Sequence, residues 1–252
     1  MIGVSSTYFC EESVESTLEK VSKEFKLWEI FSEAEHYLPQ VVGRVAQLSK
    51  SYDLKYSIHA PIMDVNIAAL SERMREASTL ELMAIMEQAI ELNVKTITIH
   101  PGMYSMAING QEKKSIEKAK RSIRTLDRVV SEFGIAIAVE NMPSFRFMLG
   151  RKAEELNELV EGTNMGICFD IGHANTTGQI DKMIDLFKDR IVNVHIHDNH
   201  GEQDEHLAIG DGKIDFKPIL KRLSGYKGNY IIESKSLESA VRSKGYLNSA
   251  GL

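Results

Sequence analysis

Hydrophobic and polar positions follow two alternating periods along this chain. Eight short apolar runs rich in β-branched residues read as buried strands: IGVSS (2–6), LWEIF (27–31), LKYSIHA (54–60), VKTITIH (94–100), IAIAVEN (135–141), MGICFD (165–170), IVNVHIH (191–197) and YIIES (230–234). Pro61 and the pair Pro101-Gly102 stop the third and fourth of them. Between the strands the apolar spacing changes to the helical period. It predicts helices over 13–24 with Ser13 as the cap, over 37–50 with Val41, Val45 and Leu48 on one stripe, and over 71–92 with Leu82, Ile85, Met86 and Ala89 on one face. Further helices are expected over 113–133, 151–161, 179–188 and 216–223, and the tail from Ser236 is expected to add a short one. About eight strand–helix units in 252 residues are the signature of an α/β fold of the (β/α)₈ TIM barrel type, expected as one domain over 1–252. An open doubly wound sheet uses fewer strands, and no linker or short-period repeat divides the chain.

A barrel of this kind builds its site at the carboxyl ends of its strands, so the residues that end each strand carry the functional information. The third strand ends in His59, the fourth in His100, the fifth in Glu140, the sixth in Asp170, the seventh in His195 and His197, and the eighth in Glu233. His173 follows Asp170 by three residues, and the loop after the seventh strand supplies Asp204 and His206. Of the 8 histidines only His36 and His200 lie outside this set. Each member alone has an ordinary structural explanation, and the 191–212 stretch alone reads equally well as a solvated loop. Together, carboxylates and imidazoles converging on one mouth would repel and desolvate one another without a cation among them. The set therefore points to a divalent metal such as zinc, manganese or cobalt, since imidazole and carboxylate both donate to such ions. Glu29, near the end of the second strand, reads as structural or substrate-facing, and Cys168 as a small core residue. Arg146, Arg151 and Lys152 after the fifth strand, and Lys235 beside Glu233, are candidate contacts for a phosphate or carboxylate, with surface solvation the stronger reading for the first three.

Charge and composition narrow the partners. A formal net charge of -6 gives no general attraction to nucleic acid, no run approaches the roughly 20 apolar residues of a membrane helix, and no glycine-rich phosphate loop supports a nucleotide cofactor. With only Cys10 and Cys168, and no basic segment followed by an apolar run at the amino end, a soluble protein of a reducing, cytoplasmic setting is expected.

The motifs HAP (59–61), HPG (100–102), VEN (139–141), FDIGH (169–173), HIHDN (195–199), DEH (204–206) with IGDG (209–212), and IIES (231–234) resemble, in order, those of the xylose isomerase-like TIM-barrel superfamily. That group joins sugar isomerases and epimerases with endonuclease IV (the AP endonuclease family 2). The resemblance implies a metal centre with Glu140, Asp170, Glu233 and a histidine of the seventh strand as ligands; His195 and His197 remain alternatives. It implies one of two activities. In the isomerase and epimerase branch, one manganese, magnesium or cobalt ion holds a sugar or sugar phosphate while Glu140 and Glu233 exchange a proton at carbon through a metal-stabilised enediolate, with His173 bonded to a sugar hydroxyl. In the endonuclease IV branch, His59, His100, His173, Asp204 and His206 complete a trinuclear zinc centre that hydrolyses a phosphodiester, and nucleic acid becomes a substrate. All five positions are filled. Against DNA stand the acidic charge, Ile62 where the endonuclease carries a duplex-penetrating aromatic, and strand-end loops that read as short. The expectation is a metal-dependent sugar isomerase or epimerase, with the hydrolase as the alternative. A homodimer is compatible with the resemblance, though the sequence marks no interface.

Overall fold

The computed structural model describes residues 1–104, 110–130 and 133–252. In chain order the elements are β1 (Ile2–Ser5), α1 (Val14–Glu24), β2 (Leu27–Phe31), α2 (Leu38–Ser49), β3 (Lys55–His59), α3 (Glu72–Ala89), β4 (Thr96–Ile99), α4 (Glu112–Val130) and β5 (Ala136–Glu140). There follow α5 (Ala153–Val160), β6 (Gly166–Asp170), α6 (Ile171–Thr176), α7 (Ile180–Phe187), β7 (Ile191–Ile196), α8 (Phe216–Arg222), β8 (Asn229–Ile232) and α9 (Leu237–Ser249). The strands pair in parallel in the order β1 to β8, and β8 closes on β1 through Ile2–Tyr230, Gly3–Ile231 and Val4–Ile232. The expected (β/α)₈ barrel is the observed fold.

Every predicted strand is present, with ends shifted by a residue or two. Ser13 caps α1 as expected, its hydroxyl accepting the Ser16 N–H at 3.3 Å. On α3 the expected face of Leu82, Ile85, Met86 and Ala89 is buried. On α2 the buried stripe is Leu38, Val42 and Val45, while Val41 and Leu48 are only partly covered. Spacings of four and three also satisfy the helical period, so the pattern left the rotation of this helix open by one residue. Positions 131 and 132 of the predicted helix over 113–133 lie outside the described residues. Two features went unpredicted: α6, which starts directly at the end of β6, and the full 13-residue length of α9. The loops are longer than they read, since that after β7 runs over 197–215 and those after β3 and β5 cover 60–71 and 141–152. Among the described residues no helix is long and apolar enough to cross a membrane.

Alternation along the strands separates two cores. Ile30, Ile58, Ile97, Ile137, Val139, Phe169, Val194 and Ile232 pack with helix residues such as Leu18, Leu38, Ile85, Leu126, Leu156 and Phe216 in one apolar cluster. At roughly 1.5 to 3 kcal/mol per fully buried large side chain, this layer carries most of the driving force. The positions of opposite parity carry the buried polar residues of the strands, among them Glu29, Ser57, Thr98 and Asn193, beside apolar ones such as Ala138, Cys168 and Ile231. Ser57 Oγ donates to Glu29 Oε2 at 3.0 Å, and Asn193 Nδ2 donates to Glu29 Oε2 at 3.0 Å and to Thr98 Oγ1 at 3.1 Å. The lumen is thus filled by a hydrogen-bonded layer directly beneath the strand ends.

His36 is a buried group outside the site, with Ser6 Oγ 3.0 Å from Nδ1, Thr17 Oγ1 3.2 Å from Nε2 and the Trp28 ring edge-on at 5.3 Å. Ser6 Oγ also accepts the Phe31 N–H at 3.1 Å, so the imidazole is held between two buried hydroxyls. Burial lowers its pKa from 6.5 to about 4. The unfolded chain then binds the proton between about pH 6.5 and 4 while the folded chain refuses it, so stability falls as pH falls through that window. The loss amounts to about 3 kcal/mol by pH 4. Urea unfolding at pH 7 and pH 4, wild type against His36→Gln, should show that much less acid destabilisation in the variant; equal losses would place His36 outside the acid response.

Candidate metal centre

The strand ends deliver the site. His59, Glu140 and Asp170 are the last residues of β3, β5 and β6, and His195 lies one residue before the end of β7. His100, His197 and Glu233 sit one residue past β4, β7 and β8. His173 is in the first turn of α6, and Asp204 and His206 come from the 197–215 loop. All are buried except His100 and Asp204, which are partly exposed. Every sequence-predicted candidate of the set is brought to one mouth.

Two carboxylates act as nodes. Glu140 Oε2 lies 3.2 Å from His59 Nε2 and 3.1 Å from His100 Nε2, while its Oε1 lies 3.1 Å from His195 Nδ1. Asp204 Oδ2 lies 3.2 Å from both His173 Nε2 and His206 Nε2, and its Oδ1 3.5 Å from His197 Nε2. Asp170 and Glu233 bridge the nodes: Asp170 Oδ1 is 3.2 Å from His197 Nε2, and Glu233 is 3.5 Å from His195 Nδ1 and 3.6 Å from His206 Nδ1. Both seventh-strand histidines face inward, but to different neighbours. His195 faces Glu140 and Glu233, whereas His197 stacks on His206 at 3.9 Å and faces Asp170 and Asp204.

The motif residues around the candidates hold them. His59 Nδ1 and His173 Nδ1 lie 2.9 Å from the carbonyls of Ala60 and Asn141; a carbonyl can only accept, so both carry their proton on Nδ1 and turn Nε2 to the cluster. Asn141 clamps β6, its Oδ1 accepting the Asp170 N–H at 2.8 Å and its Nδ2 donating to the Asp170 carbonyl at 2.9 Å. Asp170 Oδ1 in turn caps α6 by accepting the His173 N–H at 2.6 Å. Asp198 is buried and accepts four backbone N–H groups, from Asn199 at 2.8 Å, Gly210 at 2.9 Å, Gly212 at 3.0 Å and Ile214 at 3.1 Å. It thereby ties down the loop that carries Asp204 and His206. Two glycines are fixed by close approach: a Cβ at Gly172 would enter the His197 ring, and one at Gly212 would strike the Asp198 carboxylate.

Burial opposes charge at each shifted group of the cluster, and everywhere except His100 the opposite charges overcome it. His195, His100 and His59 hold the Glu140 carboxyl well below the usual carboxylate range against the cost of burial. Asp170 and Asp204 are lowered likewise, with His173 the leading counter-charge for both. Despite burial, His173 is raised well above the ordinary value by Asp170 and Asp204, and His195 by the neighbouring carboxylates of Glu29, Glu233 and Glu140. His59 and His197 are also raised, whereas burial dominates at His100 and lowers it. Taken alone, the protein neutralises its carboxylates by collecting protons on imidazoles.

A divalent cation fits this donor set. Asp170 Oδ2, Asp204 Oδ1, both ring nitrogens of His197 and His206 Nδ1 are buried without a hydrogen-bond partner, which a polar interior otherwise avoids. Ligand atoms lie within 4.8 Å of one another in several groups, among them His173, His197, Asp204 and His206; His59, Glu140 and His195; and Asp170, His197 and Glu233. Nitrogen and carboxylate donors in such groups match zinc, manganese or cobalt.

The remaining candidates are placed elsewhere. Arg146, Lys152 and Lys235 are exposed, and Arg151 spends its Nε on the Met148 carbonyl at 3.0 Å. Cys168 is a fully buried core thiol. His200 is exposed and paired with Glu205 at 2.9 Å. Sequence reasoning missed the anchoring role of Asp198, the clamp of Asn141 and the buried Asn193; the visible signal was a polar residue of inward parity within each apolar run. It also left out Tyr8, which stands 45% exposed with its ring edge-on to His206 at 5.1 Å and walls the mouth.

Comparison with known proteins agrees with this architecture. The chain is 36% identical over 252 residues to an uncharacterized protein of Methanocaldococcus jannaschii, covering 96% of this chain and 86% of that one. A solved structure described as a D-tagatose 3-epimerase-like protein superposes with a TM-score of 0.91 at 35% identity, over 99% of this chain and 96% of that one. A probable endonuclease 4 of Staphylococcus carnosus is 28% identical over 201 residues, 72% of this chain and 63% of its own length. The family model described as xylose isomerase-like TIM barrel matches residues 21–249, and the chain belongs to that family.

Proposed function

We propose that this protein is a divalent-metal-dependent isomerase or epimerase of a sugar or sugar phosphate. The observation that carries the reading is the pairing of Glu140 and Glu233, two buried carboxylates from different strands that both turn an oxygen to His195 Nδ1, at 3.1 and 3.5 Å. Two carboxylates at one point, on separate supports, suit a reaction that removes a proton from carbon on one side and returns it on the other. The likeness to the epimerase-like structure over nearly the whole of both chains supports the same reading.

In this proposal Glu140, Asp170, His195 and Glu233 hold the cation, which when bound supplies a Lewis acid that stabilises negative charge developing on the substrate oxygens. Glu140 and Glu233 act as base and acid at carbon. His173 is held by the Asn141 carbonyl so that its Nε2 faces Asp204 and the cluster, where it would meet a substrate hydroxyl. Thr7 Oγ1 donates to Glu233 Oε1 at 3.3 Å and holds that carboxylate from the β1 side. Tyr8 is placed to cover the apolar face of a sugar ring.

The second reading, an endonuclease IV-like phosphodiester hydrolase with a trinuclear zinc centre, draws on the wider convergence of His59, His100, His173, Asp204 and His206 with the four ligands above. One experiment separates the two. Protein loaded with manganese, cobalt or zinc is incubated in D₂O with ketoses and their phosphates, and in parallel with a duplex carrying an abasic site. Deuterium on a carbon beside the carbonyl, with formation of the epimer or isomer, is the expected result. Strand cleavage without any carbon exchange would replace the first reading by the second.

A further inference from the structure

A second cavity adjoins the metal centre. It holds about 240 Å³ between the β1–α1 loop, α1 and the start of α9, with Tyr8, Lys20, Lys235, Ser236 and Leu237 in its walls. Tyr8 is the wall it shares with the mouth, because the same ring stands edge-on to His206 at 5.1 Å. The charges of this cavity are unbalanced. Glu12 also lines it, but that carboxylate is already met by Lys20 Nζ at 2.6 Å and Ser16 Oγ at 3.0 Å. Lys235 is left over: it is exposed, and among the described residues it makes no hydrogen bond and has no carboxylate within ion-pair distance. Ser236 Oγ accepts the Ser239 N–H and Ser239 Oγ the Ser236 N–H, both at 3.2 Å, so α9 leaves the N–H groups of Leu237 and Glu238 without an acceptor. Ser234, between Glu233 and Lys235, is 1% exposed, and its hydroxyl has no hydrogen-bond partner. Glu233 turns to the lumen, so alternation turns Ser234 to the outer side, where α1 and α9 enclose the cavity.

We infer that this cavity binds phosphate, and that the substrate of the metal centre is a sugar phosphate rather than a free sugar. The inference rests on the isomerase reading above and names its substrate class. A lysine ammonium, a buried hydroxyl and the open N–H groups of a helix N-terminus are all donors, and a phosphate has the oxygens and the charge to meet them together. Two lysines and the positive end of α9 face one carboxylate, so the balance of charge favours an anion. The place also fits the proposed chemistry. Lys235 follows Glu233 by two residues, so a sugar chain laid across the exposed edge of Tyr8 has its reacting carbon beside Glu233 and its far end beside Lys235. An uncharged sugar offers nothing to that ammonium, which then stays solvated.

Inorganic phosphate is the first probe. In ¹⁵N-labelled, zinc-loaded protein at an ionic strength held constant with chloride, phosphate should shift the amide signals of Leu237 and Glu238 saturably. Lys235→Ala should weaken that binding about 10- to 100-fold, and Lys235→Arg should restore most of it. Deuterium exchange at carbon is the second readout, with each ketose set against its own phosphate. Wild type should show the higher kcat/KM for the phosphate, and Lys235→Ala should lose that advantage through KM while its exchange of the free ketose stays unchanged. Lys235 is exposed, so all variants should melt with wild type. Amides at 237 and 238 that do not respond to phosphate, or respond equally in Lys235→Ala, overturn the inference. So does a free ketose exchanged as fast as its phosphate, and in these cases the isomerase reading stands. Saturable shifts that depend on Lys235, without carbon exchange on any ketose or ketose phosphate, overturn the isomerase reading and with it the sugar phosphate, and leave the phosphate site in place.

Discussion

Glu140→Gln should abolish metal-dependent turnover while leaving the barrel folded. The substitution keeps the shape of the side chain and removes the one charge that His59, His100 and His195 all face within 3.2 Å. A neutral amide is a poor cation ligand and cannot carry a proton to or from carbon, so both proposed tasks fail together. Loss of the acid–base role alone costs about 10² to 10⁴ in rate, and loss of an anionic ligand multiplies it. Elemental analysis of protein equilibrated with mixed divalent ions should show less metal per chain than wild type. Stability should change little near neutral pH, because the histidines left without their counter-charge can release their protons rather than remain as buried unpaired cations. Circular dichroism melting checks this. Turnover within tenfold of wild type would sink the shared-centre model for either activity, since both place Glu140 at the middle of it.

The legible and illegible parts of this site divide along physical lines. His59, His100, Glu140, Asp170 and Glu233 could be read because each sits at a strand end, where an apolar run gives way to a residue that is costly to bury, and the barrel topology then says where all strand ends meet. Asp204 and His206 lie in a loop, where no periodicity constrains position, and they were readable only as a further carboxylate and imidazole close in sequence to the histidines of the seventh strand. Glu29 and Asn193 lie inside strands. Their inward parity was implicit in LWEIF and IVNVHIH, but parity alone cannot say whether an inward polar residue meets another polar residue or a void. That depends on register between strands distant in sequence, which brings Glu29 opposite Ser57 and Asn193 within 3.0 Å of Glu29 across the lumen. The rotation of α2, which turns Val42 rather than Val41 inward, was ambiguous for the same reason: local spacing allowed both and packing decided.

Asp198 gives the clearest case of a residue whose importance is invisible until the backbone is seen, and Asp198→Asn should detach the loop over 199–214 from the barrel. Its two carboxylate oxygens each accept two N–H groups, Oδ1 from Asn199 and Ile214 and Oδ2 from Gly210 and Gly212, at 2.8 to 3.1 Å. An amide can reproduce only one of those oxygens, so its NH₂ group must face two donors whichever way it turns. Turned toward Asn199 and Ile214 it would leave two buried N–H groups without an acceptor, at about 1 to 3 kcal/mol each, so it turns toward Gly210 and Gly212, whose part-buried N–H groups cost less to release, and the remaining two lose the advantage of a charged partner. The Gly212 backbone passes so close to the carboxylate that no water can enter without displacing the loop. The strain should be relieved locally, because opening 199–214 leaves the β7 pairing with β6 and β8 intact. Hydrogen exchange read by mass spectrometry should then show lost protection confined to that loop, alongside a cooperative melt at lower temperature. Asp204 and His206 ride on the same segment, so the variant should also bind divalent metal less tightly although no ligand has been changed. Unaltered exchange over 199–214 would show that the glycine-bearing loop holds its course by packing alone, and that the four N–H groups gathered on Asp198 contribute less than their geometry implies.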